Sequence, residues 1–190
     1  MIRRVLVAGL LIAASISFAQ SAPSAEGGFS SVWAGAELSS FNPDWGCQSS
    51  SPLSCGNYQI EGVAVFADAN RLLGPIGMEG EARWLLWHWP NITESNYLIG
   101  PRYQVFAGSR FSANIKFLAG AGIFDQKGSS SWEGWSAFVP GVTLGYRISP
   151  KLILRGDYEY QRWPGFVGAL GPHGLTPNGF SLGVSYHIFR

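Results

Sequence analysis

The feature that most constrains the fold is an alternation of apolar and polar residues with period two. It recurs in segments of about ten residues or more, separated by clusters of Gly, Pro, Ser and Asn, which predicts β-strands joined by turns. In residues 152–160, LILRGDYEY, one face carries Arg155, Asp157 and Glu159 and the other is apolar. Residues 97–105 sort in the same way, and no segment shows a convincing helical period.

Eight such segments follow one another along the chain. They are predicted at residues 29–40, 58–70, 78–89, 96–106, 112–124, 134–147, 151–163 and 178–190. The connections alternate between short ones, near 71–77, 107–111 and 148–150, and longer ones, near 41–57, 90–95, 125–133 and 164–177. An even number of strands puts both ends on one side, and outer-membrane barrels show this asymmetry of short periplasmic turns and longer outer loops.

Alternation alone leaves two barrels open, because a soluble lipocalin-like barrel has its apolar face inside and a membrane barrel has it outside. A water-facing exterior needs abundant charge, yet only 13% of the residues are charged, against about 25% in soluble domains. No apolar run after the N-terminal segment approaches the roughly 20 residues of a membrane helix, so lipid must be met by strands. The prediction is all-β: a closed antiparallel up-and-down eight-stranded transmembrane β-barrel, whose closure satisfies the backbone.

The polar set is therefore placed inside the barrel. An interior enclosed by eight strands has room for little beyond side chains, and charges buried there must be paired. The tripeptide Arg155-Gly156-Asp157 would then be hidden from any receptor, which disfavours an adhesion motif. The predicted interior charge network is Glu37, Asp68, Glu79, Glu81, Arg83, Arg102, Lys116, Arg155, Asp157 and Glu159.

Five tryptophans lie where predicted strands meet the longer connections. Indole rings favour the boundary between lipid and water, so these residues are predicted to form an aromatic girdle at one end of the barrel. They are Trp87, Trp89, Trp132, Trp135 and Trp163.

The N-terminus has the features of a secretory signal. Two arginines precede an apolar stretch, and small residues lie at the positions that a signal peptidase reads, which predicts a signal peptide at residues 1–19 and a barrel domain at 20–190. Cys47 and Cys55 lie in a Ser/Pro/Gly-rich stretch, where a disulfide would brace an exposed loop in an oxidising compartment. Two free thiols are the alternative, and two ligands without nearby His do not make a metal site.

Four segments in order along the chain carry a resemblance to a known group: SSVWAGAELSSF, TESNYLIGPRY paired with IKFLAGAGIF, LRGDYEYQRW, and the ending FSLGVSYHIFR. The chain resembles small eight-stranded outer-membrane barrels of the OmpA-like and opacity-porin-like group. The ending is similar to their insertion signal, although Phe189 breaks its alternation and Arg190 follows it. The residues that match this signal are Phe180, Leu182, Val184, Tyr186 and Phe189.

The resemblance implies a monomer in the outer membrane of a Gram-negative-type bacterium, with both termini periplasmic. Its partners would be outer-membrane lipid and, during biogenesis, periplasmic chaperones and the barrel-insertion machinery. The formal net charge of +1 shows no basic face for nucleic acid, and no motif indicates a cofactor.

Three functions remain open. The leading one is a structural or surface-interaction role, in which loops 41–57 and 164–177 form the working surface. The second is a narrow channel for small solutes or ions, lined by the charged set. The third, a lipid A-modifying enzyme, is disfavoured because His88 has no evident catalytic partner and His173 and His187 lie elsewhere. The chain is therefore not expected to be an enzyme.

Overall fold

The computed structural model describes residues 31–43, 59–87, 92–126, 133–166 and 174–189. They form eight strands and no helix that is long and apolar enough to cross a membrane lies among them. The strands are β1 (Ser31–Asn42), β2 (Ile60–Leu73), β3 (Ile76–Trp87), β4 (Ile92–Ala107), β5 (Phe111–Gln126), β6 (Glu133–Ser149), β7 (Leu152–Tyr160) and β8 (Asn178–Phe189).

The strands form one closed antiparallel barrel. Each strand pairs with its neighbours in chain order, and β1 pairs with β8 from Val32↔Phe189 to Asn42↔Asn178. Closure leaves no edge strand, so the ladder hydrogen bonds run round the whole barrel. The predicted fold class is confirmed.

The connections differ in length at the two ends of the barrel. At one end they are residues 74–75, 108–110 and 150–151, and the first and last strands begin and end there. At the other end they are residues 43–59, 88–91, 127–132 and 161–177. We call these the short-turn end and the long-loop end.

The apolar side chains cover the outside of the barrel and the polar ones lie within it. In β7 burial alternates, so that Arg155 and Asp157 are buried while Tyr158 is 41% exposed. The outer face carries large apolar side chains such as Leu182, 61% exposed, and Phe117, 50% exposed. An apolar exterior over a charged interior is the reverse of a soluble barrel.

Two β-bulges change which face a terminal aromatic side chain takes. Val32 pairs with Phe189 and Trp33 with His187, so Ile188 is the extra residue and Phe189 joins the outer face, where it is 64% exposed. The break in alternation at the C-terminus is therefore a bulge, which inserts one residue and restores the face. At the other end of the barrel a bulge between Glu61 and Gly62 similarly places Trp87 opposite Glu61.

The girdle prediction is wrong for two of the five tryptophans. Trp163 is fully buried, and it packs inside the barrel with Leu118 and Val139. Trp135 lies on the inward face of β6 and packs against the same cluster. Alternation decides the face here. Odd-numbered residues of β7 such as Glu159 point inward, and Trp163 continues this pattern beyond the end of the strand. Trp87 is 47% exposed on the outer face, and Trp89 and Trp132 lie outside the described residues.

Candidate functional site in the barrel interior

The interior has three zones along the barrel axis. At the long-loop end lies the apolar plug, whose buried core is Leu98, Leu118, Ala137, Val139, Trp163 and Leu175. In the middle lies the ionic layer, made of the ten charged residues of the predicted network, none more than 5% exposed. At the short-turn end lies the vestibule, a cavity of about 940 Å³ lined by polar and cationic side chains.

Lys116 is the central cation in the part of the ionic layer nearer the long-loop end. Its Nζ lies 2.6 Å from a carboxylate oxygen of Glu159, 2.8 Å from Glu79, 2.8 Å from Asp157 and 3.3 Å from Glu81. These four carboxylates come from β3 and β7, neither of which pairs directly with β5. The ammonium group therefore joins opposite walls of the barrel across its lumen.

Arg155 is the central cation in the part of the ionic layer nearer the short-turn end. Its guanidinium lies 2.6 Å from Glu79, 2.9 Å from Glu37 and 3.1 Å from Asp68, and it also contacts Asp157. Five N–H donors in a planar fork suit a guanidinium to bridge several carboxylates at once. Arg155 thus links four strands, β1, β2, β3 and β7.

The other two cations complete the layer. Arg83 contacts Glu81 at 2.8 Å and Glu159 at 2.5 Å, and Arg102 contacts Asp68 and, at 3.3 Å, Glu79. The layer holds six carboxylates and four cations, so every cation serves at least two carboxylates. This sharing brings every one of the six carboxylates into contact with at least one cation.

Two buried aromatic rings support the guanidinium groups. The guanidinium carbon of Arg155 lies 3.8 Å from the ring centroid of Phe66, and that of Arg83 lies 4.4 Å from the ring of Phe41. Stacking on an aromatic face is favourable for a desolvated guanidinium. The rings therefore help to fix the positions from which both arginines reach their carboxylates.

A polar contact joins the ionic layer to the apolar plug. The side-chain oxygen of Gln161 accepts hydrogen bonds from Asn96 Nδ2 at 3.2 Å and from Trp163 Nε1 at 3.1 Å. The returning chain holds the indole in place, because backbone bonds join Trp163 to Leu175 in both directions. Phe166 packs against the rings of Phe124 and Trp135 above it.

The vestibule lies below the ionic layer. Asp68, Arg102 and Arg155 are shared between the two zones, and Arg71, Arg147 and Lys151 surround the cavity at the level of the turns. Trp33 and His187 form part of its wall with ring centroids 4.7 Å apart.

Sequence reasoning missed one buried acid, Glu94, which is 2% exposed. It lay in a predicted connection, but β4 begins at Ile92. The inward parity of Asn96 and Arg102 extends to Glu94, and following that alternation past the predicted strand end identifies it.

The remaining residues named in the sequence analysis lie outside the ionic layer or outside the described residues. His187 lies at the short-turn end, while His88, His173 and the pair Cys47 and Cys55 lie outside the described residues, as does the proposed signal peptide. Among the described residues, no group of three or more His, Cys, Asp or Glu side chains could hold a metal ion. The matched residues of the insertion signal all lie on the outer face of β8, with exposures of 46% to 68%.

No protein-family model and no curated protein matches the chain. Solved structures do match its fold. Neisserial surface protein A (NspA) aligns with a TM-score of 0.58 and 13% identity, over 84% of this chain and 97% of that one. OprG from Pseudomonas aeruginosa aligns with a TM-score of 0.55 and 11% identity, over 85% and 97%. Ail, the attachment invasion locus protein of Yersinia pestis, aligns with a TM-score of 0.50 and 16% identity, over 84% and 97%.

The chain therefore has the fold of the small eight-stranded outer-membrane β-barrels, which confirms the resemblance noted in its sequence. At identities of 11–16% the likeness concerns the fold.

Proposed function

We propose that the protein is a closed outer-membrane barrel with a structural or surface-interaction role, whose long-loop end faces outward and forms the working surface. The observation that carries this proposal is the blocked lumen: the apolar plug lies directly on the ionic layer. Two of the similar structures are described as a surface protein and as an attachment invasion locus protein, which supports a role at the cell surface.

Membrane placement rests on the apolar outer face. Phe117, Leu144 and Tyr158 are 50%, 60% and 41% exposed on that face, and exposure of such residues to water would be costly. The proposed surroundings are therefore outer-membrane lipid, with the termini in the periplasm. The outer face of β8 would engage the insertion machinery during biogenesis.

Cysteine labelling tests this placement. In a chain with Cys47 and Cys55 replaced by Ser, cysteines at 117, 144 and 158 should resist a water-soluble maleimide both in intact cells and after the outer membrane is opened, because a thiol in hydrocarbon stays protonated and unreactive. The exposed turn residue Lys151, changed to Cys, is the matched control, and it should react with the water-soluble reagent once the outer membrane is opened. Rapid aqueous labelling at 117, 144 and 158 would overturn the membrane placement.

A narrow channel is the second candidate, because the polar vestibule reaches the ionic layer from the short-turn end. Single-channel recording in planar bilayers separates the two functions. A closed barrel gives no steps, and reproducible steps that disappear on Glu81→Gln or Arg83→Gln substitution would favour the channel.

A further inference from the structure

The vestibule has an excess of positive charge that the ionic layer does not have. Its wall carries five cationic side chains and one carboxylate, that of Asp68. Two of the five, Arg102 and Arg155, already contact carboxylates of the ionic layer. The other three, Arg71, Arg147 and Lys151, line the cavity nearer the turns.

These three residues form no ion pair with any described residue. Arg71 Nε donates a hydrogen bond to the Gln104 side chain at 3.3 Å, and Arg147 donates one to the Ser109 carbonyl at 3.4 Å. Every cation of the ionic layer, in contrast, contacts at least two carboxylates. Positively charged side chains around a concave surface attract anions, and the low-dielectric wall focuses their electric field.

Three buried polar atoms in the same cavity have neither a hydrogen bond nor an ion pair with any described residue. They are Nε of Arg102, Oδ1 of Asn114 and Nε2 of His187, and Arg102 and Asn114 are only 5% exposed. Buried polar groups are nearly always satisfied by protein, water or ligand. The atoms therefore provide a donor and an acceptor for a bound molecule.

The wall also contains two aromatic rings that pack against each other. The rings of Trp33 and His187 lie 4.7 Å apart with an interplanar angle of 30°. A planar or apolar portion of a ligand can pack against these rings while its charged end meets the arginines. The combination is typical of sites for small organic anions.

We propose that the vestibule binds a small soluble organic anion, with a phosphate or carboxylate group and a planar ring, which enters from the short-turn end. A phosphate is also present in lipid headgroups, but the vestibule lies inside the closed strand wall while acyl chains must remain outside. The ligand is therefore a soluble anion that reaches the short-turn end, and its periplasmic location rests on the proposed orientation of the barrel. The site lies at the opposite end from the proposed working surface and does not depend on a surface-interaction role.

Titration calorimetry on the full chain in a zwitterionic detergent tests the proposal with phenyl phosphate and inorganic phosphate as probes. Phenyl phosphate should bind, more tightly than inorganic phosphate because of the aromatic wall, and its affinity should fall as salt rises. Arg147→Gln should weaken binding about tenfold, as expected for loss of one charged contact. Asn114→Asp, which adds a negative charge to the wall, should abolish binding.

Arg110→Gln is the matched control. Arg110 is exposed at the same end, and its carbonyl accepts a bond from the Arg147 amide at 2.7 Å, but its side chain does not line the cavity. It should leave the affinity within about twofold, since an exposed charge outside the site is largely screened. Thermal melting of each variant checks that the barrel is intact.

Two results would overturn the proposal: absence of phenyl phosphate binding to the folded wild-type chain, or equal losses from Arg147→Gln and Arg110→Gln. Competition by short-chain phosphatidylglycerol at the same concentration as the probe would overturn the assignment to a soluble anion and indicate a lipid headgroup.

Discussion

The two ends of the barrel interior differ, because one is closed by packed side chains and the other holds a cavity. At the long-loop end the chain between β7 and β8 turns back into the lumen, and Trp163 and Leu175 close it. At the short-turn end the connections have only two or three residues, 74–75, 108–110 and 150–151, which are too short to fold inward. A cavity of about 940 Å³ remains there. Connection length therefore decides which end is sealed, and the ionic layer separates the two.

The largest expected effect comes from the ionic layer between the two ends. Lys116→Met leaves four buried carboxylates without their shared cation, and we expect the free energy of unfolding to fall by about 3–5 kcal/mol. Urea unfolding in detergent or lipid vesicles, followed by tryptophan fluorescence, measures the loss. Lys151→Met is the control, because Lys151 is exposed at a turn, and equal losses in the two variants would contradict the shared-cation role.

The next effect concerns the plug itself. Trp163→Ala removes the largest fully buried side chain among the described residues and leaves a cavity at the sealed end, at an expected cost of about 3–5 kcal/mol. Trp87→Ala is the matched control, since Trp87 is 47% exposed on the outer face. The same unfolding measurement applies. A comparable loss of stability in both variants would contradict a special contribution of the buried Trp163 indole to the plug.

The sequence predicts the ionic layer better than it predicts the plug. Charged residues at alternate positions of a strand share one face, and the scarcity of charge in the sequence indicates that this face points into the barrel. The ten members of the layer follow from these two observations. Trp163 shares the parity that Glu159 and Gln161 continue, whereas the preference of indole for interfaces predicts a position in the girdle. At this position packing into the lumen outweighs the interfacial preference.

The pairing within the ionic layer is not encoded locally. Lys116 meets acids of β3 and β7 across the lumen, and those distances depend on the tilt and register of all eight strands. Glu159 meets Lys116 and Arg83, whereas sequence neighbours would suggest Arg155. The vestibule was not predictable for the same reason, because its volume is set by how far side chains from different strands reach.

A tight contact within the plug gives a smaller, more specific effect. A Cβ built on Gly122 would lie 2.6 Å from the Trp163 ring, so Gly122→Ala should destabilise the barrel by up to about 3 kcal/mol through overpacking. Combined with Trp163→Ala the same change should be nearly neutral, which a double-mutant cycle by urea unfolding detects. Gly134→Ala, whose Cβ would meet only an atom at 3.9 Å, is the control. Purely additive losses would exclude the contact.

The smallest effect tests the boundary between plug and ionic layer. Gln161→Met keeps the length of the side chain but removes the oxygen that accepts from Asn96 and Trp163, so two buried donors lose a partner and about 1–2 kcal/mol of stability should be lost. If Gln161→Met unfolds at the same urea concentration as the wild-type chain, the hydrogen bonds of Gln161 do not stabilise the barrel and do not couple the plug to the ionic layer.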